Sequence, residues 1–76
     1  MTYPIESGAR YQAKIVDVPW PFGEGTIRER LADAGFRDLQ VWKEGGEWHA
    51  RGTWSGATGL FELDSHIDTR SIQRIG

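Results

Sequence analysis

A chain of 76 residues with nine basic and eleven acidic side chains carries a net charge of -2 and has no cysteine. That balance excludes a protein-wide positive field for phosphate backbones and argues against nucleic acid as a partner, while the missing thiols exclude disulfide staples and thiolate metal sites. No apolar run approaches the roughly 20 residues of a membrane span, and the first eight residues lack the charged and apolar regions of a signal peptide, so the chain is expected to be soluble and not secreted through a signal peptide.

Residues 1–8 hold Pro4 and Gly8 and show no alternation, so they are expected as an N-terminal arm, with residues 9–76 as a single domain. From Ala9 to Val18 the pattern alternates, with Tyr11, Ala13 and Ile15 on one face and Gln12 and Lys14 on the other, as in a half-buried strand. Asp17 breaks the parity, which calls for a bulge or for a strand end covered on both sides. Pro19-Trp20-Pro21-Phe22-Gly23 is a loop, because two prolines remove ladder donors. Thr26 with Glu29 makes a capping-box pattern ahead of a helix whose apolar stripe is Ile27, Leu31 and Ala34. Gly35 suits its left-handed stop, with Phe36 beyond it.

Asp38 to Glu44 and Glu47 to Trp54 flank Gly45-Gly46, a tight-hairpin signal. The register that follows pairs Lys43 with Trp48, Trp42 with His49, Val41 with Ala50, Gln40 with Arg51 and Leu39 with Gly52. One face then carries Leu39, Val41, Trp48, Ala50 and Trp54 and is core; the other carries Gln40, Trp42, His49, Arg51 and Thr53 and is wet. After a small-residue connection, Leu60 to Leu63 reads as a strand, Ser65 with Asp68 as a second capping box over one helical turn, and Arg70 to Ile75 as a last strand holding Ile72. The order β-α-β-β-β-β specifies an α+β fold, a small antiparallel sheet of four to five strands with one short helix packed on it. A small five-stranded barrel is the alternative, since closure removes sheet edges.

Catalytic chemistry finds little support. Ser55 or Ser71 could be combined with His49 or His66, but no nucleophile elbow surrounds either serine, so no catalytic residue is assigned and the chain reads as a non-enzyme. Asp64, His66 and Asp68 alternate and could begin a metal site with His49, yet a turn rich in Asp, Ser and His is also the ordinary composition of a solvated corner; no metal or cofactor is assigned. Gly23-Glu24-Gly25 lacks the lysine of a phosphate loop.

Four tryptophans in so short a chain exceed what one small core absorbs, and aromatic side chains left on a surface mark contact faces. Trp48 and Trp54 are expected in the core. Trp42, His49, Arg51 and Gln40 combine a stacking platform with hydrogen-bonding groups, and Trp20 and Phe22 sit on a stiff proline-bounded loop. These six are the candidate binding residues for a protein partner, with a homo-oligomer among the options and no membrane. The alternatives are a carbohydrate module in which Trp42 stacks on a sugar, and an inhibitor of a nucleic-acid protein that presents Asp38, Glu44 and Glu47 as an acidic rim.

Gly52-Thr53-Trp54-Ser55-Gly56, turning through Thr58-Gly59 into Phe61-Glu62-Leu63 and a short final strand to Ile75, resembles the small structural accessory proteins of tailed bacteriophage particles over the last third of the chain. The resemblance implies a structural role in a tail, baseplate or capsid, and it implies no catalytic residues.

Overall fold

The computed structural model describes residues 2–19 and 21–75. The elements run β1 (Thr2–Ile5), β2 (Arg10–Ile15), α1 (Glu24–Ala34), β3 (Phe36–Glu44), β4 (Glu47–Trp54), β5 (Gly59–Glu62), a 3-10 turn (Thr69–Ser71) and β6 (Gln73–Ile75). β3, β4, β2 and β6 form a four-stranded sheet in that order, and β1 pairs with β5 in a two-stranded one; every pairing is antiparallel. The fold is thus α+β with one helix, and the two sheets stay separate among the described residues instead of closing into a barrel.

The hairpin forms where the glycines place it. Gly45 and Gly46 have φ of 58° and 80°, the left-handed pair that a two-residue turn between right-twisted strands requires, and Glu44 faces Glu47 across it. Four of the five expected pairs follow, from Lys43 with Trp48 to Gln40 with Arg51. The fifth does not. Arg37 pairs with Thr53 and Phe36 with Trp54, so Asp38 and Leu39 together oppose Gly52 in a bulge, and Asp38 takes a left-handed φ of 54°. The extra residue lets Phe36 and Leu39, three apart, both pack against the core.

Several expectations need correction. Residues 2–5 are a strand and not an arm outside the core: Ile5 is buried, and Pro4 is tolerated because β1 has a ladder on one side only. α1 starts at Glu24 with Gly23 as its cap, the Ile27 amide donating to the Gly23 carbonyl at 3.1 Å, so Thr26 lies inside the helix and makes no capping bond. Ala34 is exposed, which leaves Ile27 and Leu31 as the buried stripe. Gly35 does close the helix, at φ 118°. Near the end, Asp68 and not Ser65 is the cap, accepting from the Arg70 amide, and the last strand is shortened to Gln73–Ile75.

The core gathers Ile15, Ile27, Leu31, Val41, Ala50 and Ile67, with Ala13, Leu39, Trp48 and Leu63 packed around it. Tyr3 and Ile5 line the same small, partly open cleft of about 30 Å3 as Ala13, Leu31 and Ala50, so the small sheet and α1 both pack on one face of the large sheet. At that sheet's end Trp54 meets Phe36 edge-on at 5.0 Å and Phe61 at 5.1 Å, and its indole N–H donates to the Ala57 carbonyl. The opposite face of the large sheet takes no part in this core: it carries the half-buried Gln12, Trp42, His49 and Arg51, and at its Trp54 end Thr53, expected to be wet, which is buried at 9 % exposure between its strand neighbours Arg10 and Arg37.

Candidate functional site

Period-two alternation places every second residue of β2, β3, β4 and β6 on that uncovered face, and the register arranges them in rows across the strands. The first row is Arg37, Thr53, Arg10 and Ile75; the second Gln40, Arg51, Gln12 and Gln73; the third Trp42, His49 and Lys14; the last Glu44 and Glu47 beside the hairpin turn. The local sequence fixes this, because Val41 and Ala50 must turn inward and their neighbours therefore turn out.

In the middle rows the side chains hold one another. The rings of Trp42 and His49 stack with centroids 5.6 Å apart and planes 14° from parallel, and the Arg51 guanidinium lies 5.5 Å from the Trp42 ring centre. Arg51 also donates through Nε and Nη2 to the Gln12 Oε1, at 3.3 and 2.9 Å. Trp42, His49, Arg51 and Gln12 are half-buried although nothing covers them from above, the consequence of this mutual contact. Gln40 is exposed at the side.

The charge is divided along the strands. Arg10 and Arg37 occupy one end and Glu44 and Glu47 the other, with Arg51 and Lys14 in the rows between and Lys14 pairing to Glu47 at 3.2 Å. Among the described residues, Arg10, Arg37 and Glu44 are in no ion pair. The face is therefore net positive on a chain that is net negative.

The six expected binding residues do not form one surface. Trp42, His49, Arg51 and Gln40 share the uncovered face, whereas Phe22, 52 % exposed, borders an apolar cleft of about 110 Å3 with Ile15, Ile27, Leu31 and Ile67 on the helix side. Trp20 lies outside the described residues. Of the two expected core tryptophans, Trp54 is buried at 6 % exposure and Trp48 only half-buried, with the Lys43 ammonium 5.5 Å from its ring centre. Leu60, 68 % exposed, is a further apolar surface residue, and its parity, opposite to that of Phe61 and Leu63, is the sequence signal for it.

The polar groups near residue 64 are used structurally. Asp64 takes a 3.1 Å ion pair from Arg30 and accepts the His66 amide at 2.8 Å; His66 Nδ1 lies 3.0 Å from the Val16 carbonyl; Asp68 caps the 3-10 turn. Partial burial raises the Asp64 pKa, but the His66 amide and the Arg30 guanidinium outweigh it and hold the carboxyl below its ordinary value. Among the described residues no three side chains of metal-ligating type converge.

No protein-family model matches this chain, and comparison with curated proteins and with solved structures likewise finds no match.

Proposed function

We propose that the protein is a non-catalytic interaction module, a small subunit of a larger protein assembly, and that it meets its partner through the uncovered face of the four-stranded sheet. The observation that carries this reading is the Trp42-His49-Arg51 stack standing on a face that neither α1 nor the small sheet covers. Trp and Arg at the centre of a surface, ringed by amides and charges, are the composition of contact hot spots. The rings are also held in place before any partner arrives, so little side-chain freedom remains to be lost on docking. A phage tail, baseplate or capsid is the kind of assembly the sequence resemblance suggests.

The same stack weighs against a sugar ligand. Carbohydrate stacking needs a bare indole face, and His49 and Arg51 occupy part of the Trp42 ring. The test is Trp42→Ala, followed by thermal melting and by capture from the native source. Melting should shift by no more than about 1 kcal/mol, the range of a lost surface stack, while capture of the partner is lost. Unfolding of the variant with capture unchanged would reject the assignment.

A further inference from the structure

We infer that a second copy of this chain fits the uncovered sheet face, in a two-fold dimer whose axis runs across the strands. The inference rests on the reading of that face as a contact surface and names its occupant.

The argument begins with the division of charge. Along β4, Thr53 and Glu47 are six residues apart, roughly 20 Å at strand rise, so the arginine row and the glutamate row mark two ends of one flat surface. Arg10 and Arg37 at one end and Glu44 at the other lack an ion-pair partner among the described residues. When two identical faces meet across a two-fold axis, each patch lands on its symmetry image. An axis parallel to the strands would set arginines on arginines. An axis across the strands, level with Ala50, sets the Arg37 row of one copy over the Glu44 row of the other, twice, and brings Trp42 of each copy against Gln40 of its mate. The surface complements itself in that one orientation, with the Trp42-His49-Arg51 stack and its amides at the centre and the unpaired Arg37 and Glu44 at the two ends.

Edge-to-edge pairing, the other way a sheet recruits a copy of itself, is obstructed. The free edge of β3 is interrupted by the bulge at Asp38 and Leu39, and the Arg28 guanidinium already donates to the Leu39 carbonyl at 2.8 Å. β6, at the other edge, has three residues. A four-stranded face of this length buries on the order of 1,000 Å2 over both copies, below the standard size of stable complexes and in the class of reversible ones.

Sedimentation of the purified chain across micromolar to millimolar concentration tests this, alongside Arg37→Glu, Glu44→Arg and their equimolar mixture. Arg37 and Glu44 are both exposed, and circular dichroism melts confirm that each variant is folded. Each substitution should raise the dimer Kd about tenfold, since it acts at both symmetry-related contacts. The mixture should recover wild-type association, because reversed charges meet reversed charges in the heterodimer. A monomer at millimolar concentration, a dimer indifferent to both substitutions, or a mixture no tighter than its components would overturn the inference. Any of these leaves the broader reading to be decided by the Trp42→Ala capture.

Discussion

Gly56 has no room for a β-carbon: one built there would lie 2.6 Å from the Trp54 ring, which is itself held between Phe36 and Phe61 and tied to the Ala57 carbonyl. Gly56→Ala should therefore cost about 1–3 kcal/mol in urea unfolding, the penalty for overpacking a fixed neighbour. Gly25→Ala should do the reverse. That residue lies in α1 with nothing within 4 Å of a β-carbon, so the gain is about 0.5–1 kcal/mol from helix propensity and a stiffer unfolded chain. Asp64 gives a pH signature. Its native pKa lies below the unfolded value, so its contribution is complete above the ordinary aspartate range and disappears as pH falls through the native pKa. Asp64→Asn should be less stable than wild type at neutral pH, and the two unfolding free energies should converge in acid; a constant gap down to strongly acidic pH would show that the carboxylate charge is not the cause.

At the scale of elements, β3 shows how far local signals reach. The Gly45-Gly46 turn and the alternation around Val41 set four residue pairs and so placed Trp42 beside His49 on the outer face. The bulge was less visible, since Asp38 carries no hydrophobic signal and its left-handed φ is one that aspartate adopts with modest strain. The odd spacing of Phe36 and Leu39, both needed inside, was the clue. Asp38→Val should cost about 1–2 kcal/mol, because a β-branched residue resists that φ, whereas Asp38→Gly should be neutral or better. β1 was hidden for a related reason. In the fold Tyr3 and Ile5 turn inward between the exposed Thr2 and Pro4, but a four-residue span with a proline in it shows no such alternation along the chain, and Pro4 reads as a breaker unless the strand is known to lie beside a single neighbour. Thr26 and Glu29 matched a cap whose place was taken by Gly23, where the proline-bounded loop delivers the chain into helix three residues earlier.

For the whole molecule, the governing fact is asymmetry: helix and small sheet are stacked on one side of the large sheet, and the other side is left with aromatic rings, amides and divided charge. Sequence parity was enough to find Gln40 and Trp42 on β3 and His49 and Arg51 on β4. It could not add Arg10, Gln12, Arg37 and Gln73, because those depend on β2 pairing with β4 and β6 and on the register shift at the bulge. The same topology separates Phe22 from Trp42, which no reading along the chain could establish. The most direct test is photo-crosslinking in the native source, with p-benzoylphenylalanine in place of Gln40 on the open face or of Glu29 on the exposed side of α1. Adducts from position 40 and none from position 29 are the predicted result; adducts from position 29 alone, or from neither, would contradict the assignment of the sheet face as the contact surface.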